Sequence, residues 1–254
     1  MARVRGLDHF TAYFAGLEDH YVIIGGSAAD VLMEEIEVKF RATKDVDLVI
    51  LADPSDEVAQ RLLAYVSLGE YEIKEATQDQ PRYYRFREPK SEDFPEQIEV
   101  FSRNAKGLAL KDEQHIIPVD TGSADRLSAI LLDDAYFGII QANLYKSEQG
   151  HHIIKAVANI CLKARAFCEL SAKKARGEQG HTDHIKKHRN DILKLATALE
   201  DSDRLPLTDR PKRDLEQALQ AIEGLDPPNA KDILKDSPIK DPQMLLARIR
   251  KTFL

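Results

Sequence analysis

The residues that invite a chemical reading lie close together. They are Gly25-Gly26-Ser27 and, eighteen positions after Ser27, the pair Asp45 and Asp47 within Arg41-Ala42-Thr43-Lys44-Asp45-Val46-Asp47. Glycine lacks a side chain, so a strand ending in Gly-Gly brings its backbone close to a ligand. A helix opening at Ser27 points free N–H groups and the positive end of its dipole at the same spot, an arrangement that binds phosphate. Asp45 and Asp47 stand two apart in a strand-like run, so both carboxylates leave the same face. Two carboxylates so close repel, and a divalent cation resolves the repulsion. Mg²⁺ is typically held by one or two carboxylates plus substrate phosphates. A phosphate cradle and metal carboxylates in one helical excursion point to phosphoryl chemistry on a nucleotide. Alone, Gly-Gly-Ser is ordinarily a turn and Asp-x-Asp a solvated strand face. Order and spacing give the combination its weight, with Leu48-Val49-Ile50 continuing as buried strand behind the aspartates.

These residues need a mixed α and β frame. Tyr21–Ile24 is a strand-type run stopped by Gly25-Gly26, and Ser27 can cap a helix through Ala28, Val31, Leu32 and Ile36. Val46 to Leu51 reads as a buried strand. Leu7 to Leu17 has helical spacing, and a further helix follows Asp53-Pro54-Ser55 through Val58, Leu62, Leu63 and Val66. Strand-like runs recur at 71–74, 82–87, 97–101, 115–119 and 127–132.

From about His151 the pattern turns to long amphipathic helices. One spans about Lys155–Lys174 with a stripe of Val157, Ile160, Cys161, Ala164, Phe167 and Cys168, and another about Thr182–Leu199. Weaker helices follow near Arg210–Ile222 and Met244–Phe253, and Asp226-Pro227-Pro228-Asn229 is the clearest turn cluster. The expectation is an α+β protein with a catalytic α/β domain over 1–150 and a helical domain over 151–254 that brings basic residues to the cleft.

Of the chain's 254 residues, 43% are apolar and 31% charged, an ordinary globular balance without an apolar membrane span or signal-peptide core. Cys161 and Cys168, if on one helix, are ~10 Å apart along its axis, too far for a disulfide. A reduced, cytoplasmic protein is expected. The net charge of −7 is uneven: residues 1–150 hold 16 Lys and Arg against 28 Asp and Glu, and residues 151–196 hold 10 against 4. An acidic front and a basic block suit an anionic ligand between them. So acidic a chain is not a general nucleic-acid coating protein. The absence of a Gly-x-x-x-x-Gly-Lys loop, a Cys-x-x-Cys pair and a Ser elbow removes P-loop, zinc-finger and hydrolase readings.

At Gly25–Asp47 the sequence resembles the DNA-polymerase-beta-like nucleotidyltransferase superfamily, whose hallmark is Gly-Gly or Gly-Ser at a helix start followed by a separated Asp-x-Asp. The family's third carboxylate lies on a neighbouring strand. Ile98-Glu99-Val100-Phe101 matches best, making Glu99 the candidate, with Glu96 and Asp93 nearby. The second half is similar to the AbiEii-type branch of abortive-infection and toxin–antitoxin nucleotidyltransferases. There Arg-x-Thr precedes the aspartates, as in Arg41-Ala42-Thr43. A helix carries a Lys-rich motif, as in Leu162-Lys163-Ala164-Arg165-Ala166, and a later one carries Lys-Asp-x-x-Asp-Leu, here Lys187-His188-Arg189-Asn190-Asp191-Ile192. His188 replaces that motif's first Asp, and Leu170 stands where an arginine often follows the first lysine motif.

The resemblance implies Mg²⁺ or Mn²⁺ held by Asp45, Asp47 and Glu99. It implies an NTP bound by Gly25, Gly26, Ser27, Arg41, Thr43, Lys163 and Lys187, with Asp191 orienting Lys187. The acceptor hydroxyl would belong to RNA such as tRNA, to a protein or to a small molecule, and a cognate antitoxin protein is an expected partner. The alternative is an inactive nucleotide-binding or interaction module of the same fold. Outside this set, His181, His184 and His188 recur at i, i+3 and i+7 on a wet, lysine-rich face that suits metal binding poorly, and His188 suits a hydrogen-bonded bridge between core and cleft. Asp133-Asp134 suits a helix cap.

Overall fold

A computed structural model of the chain describes residues 4–51, 56–75, 83–102 and 133–254. The strand-like runs at 115–119 and 127–132 lie outside the described residues. The described part is α+β, built on a mixed seven-stranded sheet in the order β3-β4-β5-β2-β1-β7-β6. The strands are β1 (Tyr21–Ile24), β2 (Asp45–Ile50), β3 (Glu72–Glu75), β4 (Tyr83–Arg87), β5 (Gln97–Ser102), β6 (Leu144–Lys146) and β7 (His152–Ile154). Every residue of β1 is buried, as its unbroken apolar run requires of a central strand. β2 runs antiparallel to β1 and parallel to β5.

Helix α1 (Leu7–Tyr13) is shorter than the spacing up to Leu17 predicts; Gly16 follows it at φ +88°, outside helical geometry. α1 and α3 (Asp56–Leu68) build an aromatic cluster. Phe10 stacks on Phe14 at 4.4 Å, and the fully buried Tyr65 meets both edge-on. α2 (Gly25–Glu35) joins β1 to β2, and α4 (Asp134–Gln141) is capped by Asp133, whose carboxylate accepts from the Ala135 N–H.

The helical part comprises α5 (Ala156–Ala175), α6 (Thr182–Leu195), α7 (Asp209–Glu223), α8 (Pro227–Ile233) and α9 (Pro242–Phe253). α5 is its axis and packs against α2, α6 and α7. Arg165 turns to α7, where it pairs with Asp214 at 3.4 Å, and the Tyr136 hydroxyl of α4 donates to the same carboxylate at 2.6 Å. Asp226-Pro227-Pro228-Asn229 opens α8: Asp226 accepts from the Asn229 N–H, and Pro227 takes the first helical position, where its missing N–H costs nothing. The change of texture at residue 150 falls in the β6–β7 turn, and β7 pairs with β1, so the helical part begins at Ala156. Among the described residues no helix is long and apolar enough to cross a membrane.

Candidate functional site

β1 passes directly into α2, and glycine is needed at the junction. Gly25 has φ +70°, and a Cβ there would lie 2.1 Å from Asp47 Oδ2. A Cβ at Gly26 would lie 2.8 Å from Thr43 Oγ1 and 3.3 Å from an Arg41 nitrogen. The two glycines therefore let Asp47, Thr43 and Arg41 reach across the start of the helix. Ser27 lies inside α2 rather than capping it. Its buried hydroxyl donates to the Asp45 carbonyl and ties the helix to β2. The N-cap position is Ile24, which makes no side-chain cap, and the first turn holds no acidic residue. The end of α2 thus presents N–H donors without a side-chain acceptor of their own.

The strand register sets the carboxylate side. Asp47 is opposite Glu99, Asp45 opposite Gln97, and Glu99 opposite Arg85. Residues paired this way share a face, so Glu99 is on the face of Asp45 and Asp47. Glu96 instead pairs with Lys44 at 2.9 Å, and Asp93 is bonded to Ser91 in an exposed turn. Asp47 is half-buried, and its pKa is pushed up to about 8, first by burial and then by the charges of Glu99 and Asp45. Glu99 is already engaged: its Oε1 accepts from Arg85 at 2.7 and 2.8 Å and from the Gln97 amide at 2.8 Å.

The cationic side comes from α5, α6 and the loop before β2. Lys163 Nζ lies 3.0 Å from Asp191 Oδ2, and Arg41 grips both oxygens of Asp191 at 2.9 and 3.0 Å. Lys163 is only 5% exposed and Asp191 3%. Burial alone would raise the pKa of Asp191; Lys163 and Arg41 outweigh it and hold the carboxyl at about 2. Two cations, Lys163 and Arg41, take the Asp191 carboxylate directly, and Lys187 feels its charge beside them. Lys187, half-buried, is lowered by desolvation and by Arg41 and Lys163, while Asp191 and Asp47 act the other way. His188 is held well below its ordinary pKa by burial and Lys163, so its ring is neutral.

The structure thus gathers Gly25, Gly26, Ser27, Thr43, Asp45, Asp47 and Glu99 at one end of the sheet. Lys163 and Lys187 lie within electrostatic reach of Asp47. Arg41 and Asp191 bridge to them. A cavity of about 370 Å³ opens beside this bridge, lined in part by Phe40, Arg41, Lys187, Asn190 and Lys194. Sequence reasoning missed Arg85 and Gln97, which donate to Glu99, and Asn159, whose amide reaches Gly25. The available signal for Asn159 is a polar residue one helical turn before Lys163.

Hard carboxylate oxygens suit Mg²⁺ or Mn²⁺. The crowding that raises Asp47 is the repulsion a cation relieves, so Asp45 and Asp47 fit such an ion. Among the described residues no three His, Cys, Asp or Glu side chains form a ready metal-ligand cluster. Glu99 stands on the same face with its Oε1 held by Arg85 and Gln97. No protein-family model matches the chain, and no curated protein matches it.

Proposed function

We propose that the chain is a metal-dependent nucleotidyltransferase that moves a nucleoside monophosphate from an NTP to an acceptor hydroxyl. The observation that carries this reading is the crowding of Asp47 by Asp45 and Glu99 beneath a glycine-opened helix start. An Mg²⁺ or Mn²⁺ ion held by Asp45 and Asp47 would supply charge neutralisation to the triphosphate. The α2 N–H groups would hold the phosphates that become pyrophosphate. Lys187, which feels the charges of Asp191 and Asp47, would face charge building on them, and Lys163 would add its field from its bridge to Asp191. The acceptor oxygen bonds to the α-phosphorus, the bond from that phosphorus to the β-phosphate's bridging oxygen breaks, and pyrophosphate leaves. The hydroxyl proton would pass to a carboxylate of this face, with Glu99 the residue proposed to take it.

The test is incubation of the chain with each α-labelled NTP, Mg²⁺ and total RNA or cell extract. Label should move to one macromolecule or metabolite with wild type and not with Asp45→Asn. The grip of Arg85 and Gln97 on Glu99 favours a second reading, a nucleotide-binding module without turnover. It predicts saturable Mg²⁺-dependent NTP binding with no label transferred to any acceptor.

A further inference from the structure

Asn159 is fully buried in the first turns of α5, among Val157, Ala158, Ile160 and Cys161, all themselves buried. Its Nδ2 donates to the Gly25 carbonyl at 2.9 Å, and its Oδ1 is buried without a partner among the described residues. A buried amide with an orphan oxygen is unfavourable, and an apolar side chain of similar size would fill the position without that cost. Packing therefore does not account for an amide here, whereas the bond to Gly25 does.

Gly25 itself has little room. A Cβ there would meet Asp47 Oδ2 at 2.1 Å and force that carboxylate to move, and the backbone is left-handed. One turn after Asn159, on the same face of α5, is Lys163, which holds Asp191 at 3.0 Å. One helix face thus fixes the glycine turn and a cation of the opposite wall.

We propose that Asn159 is a positioning residue: it pins the Gly25 peptide so that the first N–H groups of α2 and the Asp47 carboxyl keep one relative placement for a nucleotide's phosphates. The ligand in this inference rests on the nucleotidyltransferase reading; the pinned turn does not.

The test compares full-length wild type with Asn159→Leu, which removes the donor at similar size, and Asn159→Asp, which keeps the shape and removes the N–H. Amide hydrogen exchange is followed across Gly25–Ser27, and binding of Mg²⁺ with each NTP is titrated. In Asn159→Leu the melting temperature should hold, because the orphan oxygen is gone too. Exchange at Gly25–Ser27 should quicken about tenfold, a local opening, and NTP binding should weaken about tenfold. Asn159→Asp should show both effects. A merely structural asparagine would lower the melting temperature and leave NTP affinity unchanged once folded, and that result overturns the proposal. So does unchanged exchange at Gly25–Ser27 in a folded Asn159→Leu protein. Should Asn159→Leu fail to fold, Asn159→Ser is judged by the same two criteria. Wild type that binds no NTP sinks the nucleotide reading, while faster exchange at Gly25–Ser27 still upholds the pinned turn, so the two failures are distinguishable.

Discussion

Asp47, half-buried, and Asp191, buried, belong to the same site, both within reach of Lys163 and Lys187, yet their surroundings push them in opposite directions. Asp191 is met by Lys163 and by Nε and Nη2 of Arg41, and sits at about 2. Asp47 is met first by burial and then by Glu99 and Asp45, and sits at about 8. One carboxylate has its cations built into the fold. The other has a charge that the described residues leave short of compensation. Acidity alone therefore does not identify a ligand site; the difference lies in whether the protein has already matched the charge. Asp191 closes the joint between sheet and helices, and Asp47 is where an external cation has most to gain.

The largest effect expected from breaking this contrast is on activity. Asp47→Asn keeps side-chain size and removes the charge, so transfer should fall by ~10²–10³ or more, as when one transition-state electrostatic contact is lost. The melting temperature of the metal-free variant should hold or rise, because crowding among carboxylates is relieved. Labelled-NTP turnover and thermal unfolding check the two halves of this statement.

Asp191→Ala should do the reverse, since it leaves Lys163 buried without its partner and frees Arg41. Breaking a buried ion pair from one side costs ~3–5 kcal/mol. Urea unfolding should show that loss, with NTP binding falling only as the joint loosens.

The contrast has a pH signature. A folded pKa above the ordinary carboxylate range of about 4 means that Asp47 holds its proton more tightly in the folded state. Its contribution to metal-free stability is then full below about 4 and is lost as pH rises toward about 8. Asp191 contributes above that range and loses its contribution as pH falls toward about 2. Unfolding followed from pH 4 to 8 should show a decline in wild type, on the order of a few kcal/mol, that is absent in Asp47→Asn. At the small end stands the exposed Lys44–Glu96 pair at 2.9 Å. Lys44→Ala should change stability by ~0–1 kcal/mol, which separates surface charge from these two aspartates.

What could be read in the sequence follows the range of the interactions. β1, α2 and β2 were legible because an apolar run, two glycines and an alternating Asp-Val-Asp are local signals, and the register then carries Glu99 to the same face. Ser27 was legible as a helix-start residue but not in its role. Its hydroxyl bonds a strand carbonyl eighteen residues on, which depends on how α2 lies over β2. Asp191 was visible on its helix, but its partner Arg41 is 150 residues away in sequence, and a neighbouring Lys187 made the shorter pairing look natural. Arg85 was hidden in another way. It occupies a strand position that reads as an ordinary solvated cation until pairing sets it against Glu99. Asn159 sits among buried apolar residues, where its place one turn before Lys163 is the signal it offers.

The most direct test of the central claim is a carboxyl-carbon NMR titration of Asp47, assigned by loss of its signal in Asp47→Asn, with and without Mg²⁺ and NTP. The account predicts a midpoint near 8 in the metal-free protein and a fall of several pH units when Mg²⁺ and NTP are added, with Asp191 unmoved. A metal-free midpoint in the ordinary carboxylate range, or one that Mg²⁺ and NTP leave unchanged, would contradict it.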